Sequence, residues 1–168
     1  MKIAVLYGSS LGNTQFVAEK IHSFFPDALL ASVSELNVGM LSSFDLIVLG
    51  TSTWGVGDMQ DDFGTFVSKL LLSDLEGKTF ALFGLGDQHN YPDTFCNGMG
   101  KLYHLLENME VRFVGQWPID GYDYSESEAV IDRHFVGLAI DEENEPDLTD
   151  GRVTQWCRLL MRQFEKHY

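Results

Sequence analysis

Basic side chains are scarce in this 168-residue chain: 11 Lys and Arg stand against 25 Asp and Glu, for a formal charge of −14. An acidic chain repels nucleic acid and anionic membrane surfaces, so neither is expected as a partner. Cysteine is nearly absent. Cys96 and Cys157 lack C-x-x-C spacing and a zinc-finger histidine, which leaves no metal site and no disulfide framework and fits a reducing compartment. No apolar run is long enough to cross a bilayer, and the first one stops at Tyr7, short of a signal-peptide core, so a cytoplasmic location is expected. Lys and Arg are missing between Lys2 and Lys20, so the first loop carries no P-loop lysine.

What is present is a globular composition, 45% hydrophobic and 12% aromatic, over a length that suits one well-buried domain spanning residues 1–168. Short apolar runs alternate with helical patterns. Ile3 to Tyr7 reads as a first strand, followed by a helix from Thr14 to Phe25 whose apolar face is Val17, Ile21, Phe24 and Phe25 and which Pro26 ends. Ala28 to Val33 is a second strand, and 34–43 an irregular crossover. Phe44 to Gly50 is a near-continuous aliphatic run, the mark of a parallel strand covered on both faces. A helix from Phe63 to Leu72, a fourth strand from Lys78 to Gly84, and a helix carrying Phe95, Met99, Leu102, Tyr103, Leu106 and Met109 follow. The fifth strand starts at Val111, breaks after Gln116 into a surface excursion with a hairpin expected through Gly121 and Tyr122, and resumes over 135–140. A last helix, from Asp150 to Lys166, buries Val153, Trp156, Cys157, Leu160, Met161 and Phe164. The pattern predicts an α/β fold with an open five-stranded parallel sheet and helices on both faces.

In such sheets ligands bind beyond the carboxyl ends of the strands, at the switch point between strands one and three. Three loops should meet there. The first, Gly8-Ser9-Ser10-Leu11-Gly12-Asn13-Thr14, offers backbone N–H groups, the hydroxyls of Ser9, Ser10 and Thr14, and a helix N-terminus, which together make an anion site of neutral donors. Alone, those residues also read as an ordinary βα turn with a polar cap. The second loop runs through Ser52, Thr53, Trp54, Gly55, Val56 and Gly57, and the third through Leu85, Gly86, Asp87 and Tyr91. A ligand with a phosphate at one end and a flat ring at the other would fill the crevice, its ring between Trp54 and Tyr91. Flavin mononucleotide (FMN) has that shape. Dinucleotides fit worse, because no G-x-G-x-x-G follows strand one.

Over essentially its whole length the chain resembles the flavodoxins, and among them the long-chain group. The resemblance is carried by Tyr7 to Thr14, by Gly50 to Gln60 around Trp54, by Gly84 to Gln88 with Tyr91, by Asp120-Gly121-Tyr122, by 135–139 and by 147–150; the excursion inside strand five marks the long-chain group. It implies a doubly wound sheet of order 2-1-3-4-5 (flavodoxin-like), tightly bound non-covalent FMN, and one-electron transfer at low potential between a reductase and acceptor enzymes, without substrate turnover. By position, Ser9, Ser10, Leu11, Gly12, Asn13 and Thr14 would hold the phosphate, and Trp54 and Tyr91 would flank the ring. Ser52, Thr53, Gly55, Val56, Gly57, Leu85, Gly86, Asp87, Thr94, Phe95 and Cys96 would line it, and Glu143 would stand near the ribityl chain. The Gly55 peptide is implied to accept from flavin N5–H after one-electron reduction, which a glycine there permits without strain.

Leu11 and Cys96 depart from the family pattern or invite a second reading. Leu11 replaces a hydroxyl residue, so one donor to phosphate is lost. Cys96 stands where an amide can occur, and reads more simply as a small buried apolar residue. Asp58, Asp61, Asp62, Asp87 and Asp93 should surround the ring with negative charge, lowering the potential and offering a docking rim to a basic partner, such as a ferredoxin-NADP reductase-like donor, for what is expected to be a monomer. The rival function is an FMN-dependent NAD(P)H oxidoreductase of quinone or azo reductase type on the same fold.

Overall fold

The computed structural model describes residues 1–8, 11–54 and 57–166. Its centre is a parallel sheet built on β1 (Ile3–Tyr7), which pairs with β2 (Leu29–Ser32) on one side and β3 (Leu46–Trp54) on the other. β5 (Thr79–Leu85) continues the sheet on the far side of β3, in a register that sets Leu46 opposite Thr79 and Ser52 opposite Leu85. Between them in sequence, a two-residue strand β4 (Asp58–Met59) folds back antiparallel on the end of β3, with Trp54 opposite Asp58.

The outer edge of β5 is shared. β6 (Arg112–Val114) pairs with its first half and β10 (Leu138–Ile140) with its second, both parallel, so the two pieces lie in line and act as one broken fifth strand. Counting only the parallel strands, with β5 as the fourth and β6 and β10 together as the fifth, the order is the expected 2-1-3-4-5, with the interruption where the hydrophobic pattern lapsed. The hairpin falls elsewhere than expected. β8 (Val130–Ile131) and β9 (His134–Phe135) are joined by Asp132-Arg133, both at positive φ as a two-residue hairpin turn demands, and β7 (Trp117–Pro118) completes a small antiparallel sheet. Gly121 merely turns the chain, at φ 83°.

Side chains alternate along the strands between two cores, as a sheet covered on both faces requires. Ala4, Leu6, Ile47, Leu49, Phe80 and Leu82 pack under α2 (Asp61–Leu70) and α3 (Asn97–Leu106). Ile3, Val5, Leu46, Val48, Ala81 and Phe83 pack under α1 (Asn13–Phe24) and α4 (Thr149–Glu165). Phe24, expected inside, is exposed: α1 ends there, and Phe25 turns into the core in its place and meets the Phe24 ring edge-on at 5.1 Å. The crossover before β3 is a tight 3-10 turn over Val38–Ser43, started by the Asn37 side chain accepting from Gly39 N–H. Among the described residues no helix is long and apolar enough to cross a membrane.

The excursion is clamped back onto the sheet by Tyr122. Its hydroxyl donates to the Ala139 carbonyl at 2.6 Å and accepts from Trp117 Nε1–H at 2.9 Å, and its ring carries the Arg152 guanidinium 4.1 Å from its centre. Tyr122→Phe should cost about 1–3 kcal/mol in urea unfolding, because it leaves the Ala139 carbonyl and the Trp117 indole without that partner. An unchanged midpoint and slope would show that the excursion is held by its aromatic packing alone.

Candidate functional site

Three strand ends open onto one crevice of about 240 Å³. Leu11, Asn13 and Thr14 reach it from the first loop, Ser52, Thr53 and Trp54 from the second, and Leu85, Gly86, Asp87, Tyr91 and Thr94 from the third. Glu142 and Glu143, just past β10, close the remaining side. Sequence reasoning placed all of these at the site except Glu142, which only the return of the broken fifth strand brings here. Ser9, Ser10, Gly55 and Val56, also expected at the site, lie outside the described residues.

The first wall is the N-terminus of α1. Gly12 caps it at φ 91°, a conformation natural to glycine, and none of the described side chains supplies a capping bond. The positive end of the helix dipole therefore points at the crevice beside the buried Thr14. Gly12 itself stands outside the crevice lining, and Leu11 is 78% exposed. Among the described residues no Lys or Arg lines the crevice, so an anion there would be held by neutral donors.

The second wall is the end of β3. Trp54 is 37% exposed, a large ring left partly in water, and its Nε1–H donates to Ser52 Oγ at 2.6 Å, which fixes the indole across the crevice mouth. Thr53 Oγ1 accepts from Gly98 N–H at 3.0 Å, so the N-terminus of α3 holds this loop from behind. Gly57, expected to line the ring, is instead buried against Asn97 and Thr94. Asp58 is paired with Lys101 at 2.9 Å, and Asp61 and Asp62 sit in the first turn of α2, where the helix dipole favours them. These acids do not line the crevice as expected; its negative charge comes from Asp87, Glu142 and Glu143.

The third wall is the turn after β5. Tyr91 is 58% exposed and lines the crevice, with its N–H donating to the Asp87 carbonyl at 2.9 Å. Gly86 is the close approach: a Cβ there would lie 2.8 Å from Cys96 N and from the Phe95 ring. Phe95 and Cys96, named by family position among the ring-lining residues, are buried beneath the wall, which is the simpler reading of Cys96 as a small buried apolar residue and of Phe95 as part of the helix's apolar face. Phe95 stacks on Tyr124, with ring centres 5.6 Å apart, and Cys96 places Sγ 3.6 Å from the Gly84 carbonyl, its thiol pushed up by burial and by the neighbouring Asp141. Cys96 also adopts φ 54°, which turns the chain from the loop into α3.

Asp87 acts first on its own loop. Its Oδ1 accepts from the N–H groups of His89 (3.2 Å) and Asn90 (2.9 Å), and its Oδ2 accepts from the Asn90 side chain (2.7 Å). Asn144 joins this shell from the loop after β10, and Asp141 behind it is wholly buried. Asn144 was not among the residues expected at the site, and its only signal in sequence was its place among acids. Among the described residues no group of His, Cys, Asp or Glu is placed to hold a metal.

A family model described as Flavodoxin matches residues 5–156. The chain belongs to the flavodoxin family. It is 39% identical to the flavodoxin of Synechococcus elongatus over 97% of this chain and 98% of that one, and 37% identical to flavodoxin 2 of Escherichia coli over 100% and 99%. The crystal structure of Fusobacterium nucleatum flavodoxin bound to flavin mononucleotide superposes with a TM-score of 0.91 at 30% identity, covering 97% of this chain and 98% of that chain.

Burial would raise the Asp87 carboxyl, but the Asn90, Asn144 and His89 donors outweigh it and hold the group down at about 2, against an ordinary 3.8. Folding thus favours its charged form. The stability it adds is complete above the unfolded value near 3.8 and is lost as pH falls through about 2. A carbon-detected NMR titration should place its midpoint near 2, and Asp87→Asn should flatten the acid limb of stability between those pH values. A midpoint near 3.8 would mean that the loop does not hold the carboxylate.

Proposed function

We propose that the chain, as one domain over residues 1–168, is an electron carrier that holds FMN non-covalently in this crevice and passes single electrons from a reductase to acceptor redox enzymes. The observation that carries the reading is the pair of exposed aromatic rings, Trp54 and Tyr91, on separate loops around a crevice whose third side is the N-terminus of α1, with no Lys or Arg among the described lining residues. The donor set fits FMN. Neutral N–H and hydroxyl groups of the first loop would take the phosphate, and Trp54 and Tyr91 would cover the ring faces. Bound FMN supplies the one-electron chemistry.

What the protein's own residues add is coverage and field. Asp87, Glu142 and Glu143 face the site with no lining cation to offset them, and two unit charges at 4 Å near a protein surface interact by about 4 kcal/mol. Extra negative charge on a bound ring is thereby disfavoured, which sets a low potential. Membership of the family makes the chain an electron-transfer protein rather than a turnover enzyme. Trp54 and Tyr91 stand where a nicotinamide would need to stack, which tells against the NAD(P)H oxidoreductase alternative.

The excursion brings acids beside Tyr91. Ser125 and Glu126 N–H groups donate to the Pro92 carbonyl (2.8 and 3.0 Å), so Asp123, Glu126 and Glu128 are exposed next to the crevice mouth. This edge suits a basic partner. Free Cys96 and Cys157 fit the cytoplasm, and a charge of −14 keeps the chain a soluble monomer.

Trp54→Ala and Tyr91→Ala should each weaken FMN binding about tenfold or more in a fluorescence titration, since each removes a ring face contact. Wild-type affinity in both would remove the flavin from this crevice. Glu126→Lys with Glu128→Lys should slow electron transfer from a basic reductase about threefold or more at low salt and flatten its salt dependence. Equal rates in stopped-flow absorbance would place the docking face elsewhere.

A further inference from the structure

Two walls of the crevice are tied together by one side chain that does not line it. The Asn144 Nδ2 amide lies 2.8 Å from Asp87 Oδ1, in the turn that carries Tyr91, and 2.9 Å from Asp141 Oδ2, at the end of β10. A carboxamide NH2 has two N–H bonds, one for each carboxylate. The match is reinforced from both sides. Asp141 also accepts from Asn144 N–H at 3.0 Å and from Gln88 N–H at 3.1 Å, so a wholly buried acid is supplied with donors from both turns. An Asp or Glu in place of Asn144 would set a third acceptor against two, and an alkyl group would leave Asp87 and Asp141 facing each other with no donor between them.

We propose that Asn144 is a positioning residue for the cofactor: by bridging Asp87 and Asp141 it makes the Tyr91 turn and the Glu142–Glu143 turn move as one body, and so sets how long FMN is held. The proposal rests on FMN occupying the crevice. It predicts that the two walls open together or not at all, because opening either one breaks charge-assisted hydrogen bonds to a carboxylate.

The test uses the full chain with Asn144→Ala and the isosteric Asn144→Asp. Hydrogen exchange at the His89, Asn90 and Tyr91 amides is measured in the apoprotein, and FMN release from the holoprotein is followed by the rise in flavin fluorescence. Both rates should increase about tenfold or more, further for Asn144→Asp than for Asn144→Ala. Adding Asp87→Asn to Asn144→Asp restores one donor facing one acceptor and should recover part of both rates. Should Asn144→Asp fail to fold, Asn144→Ala, which adds no charge, carries the same comparison. Wild-type rates of exchange and release overturn the proposal, and so does faster exchange with unchanged release, the signature of a merely structural role. A wild-type chain that takes up no FMN removes the cofactor reading and this proposal with it, whereas normal uptake with unaltered release in the variants removes this proposal alone.

Discussion

The parallel pairing of β3 with β1 on one side and β5 on the other determines where the rest of the chain can go. Gly50 stands opposite both Tyr7 and Phe83; β1 ends opposite Gly50, β5 opposite Ser52, and β3 runs on to Trp54, so their loops have one edge to share. The packing at Gly50 is tight. A Cβ on Gly50 would fall 1.8 Å from the Phe83 ring, which lies across the middle of β3. Hydrogen bonds between main chains hold the register, but the choice of register belongs to the two buried faces: a slip by one residue would send Ile47 and Leu49 to the α1–α4 side and Leu46 and Val48 to the other.

The excursion in the fifth strand adds support rather than new chemistry. Tyr122, Tyr124 and Phe135 surround Phe95 with ring centres 5.9, 5.6 and 5.9 Å away, and Glu128 N–H donates to Asn97 Oδ1 at 2.8 Å. The segment from Tyr91 to Asn97 is thereby held from beneath while its upper side stays open to the crevice. Arg152 extends the brace. Its guanidinium lies over Tyr122 and pairs with Glu145 at 2.6 Å, so α4, the excursion and the loop after β10 meet at one cation.

Charge and donor chemistry pull in opposite directions at the crevice, and magnitudes decide between them. A chain of net charge −14 repels a phosphate, yet at physiological ionic strength that field is screened within about 8 Å. Each hydrogen bond to the anion is worth about 1.5–3 kcal/mol and acts at contact. A few such bonds outweigh the diffuse repulsion. The local acids Asp87, Glu142 and Glu143 lie too near the crevice to be screened, so their effect falls on the charge of a bound ring.

Strand and helix identities were legible in sequence because they rest on local periodicity. So were the crevice and its two exposed aromatics, since a parallel sheet must deliver its C-terminal loops to one edge. The reading failed where a residue's neighbour came from a distant segment. Phe95 and Cys96 follow the right loop but turn under it; Asp58 meets Lys101 from α3; Phe24 yields its place to Phe25. Asn144 gave no sign of its role, because its partners lie 57 residues back in Asp87 and three back in Asp141. Pattern by itself determined the layers and the edge where the three loops meet, and the strand order came from the family resemblance. Which side chains line that edge was settled only by packing across the sheet, since contact between residues far apart in the chain has no period to betray it.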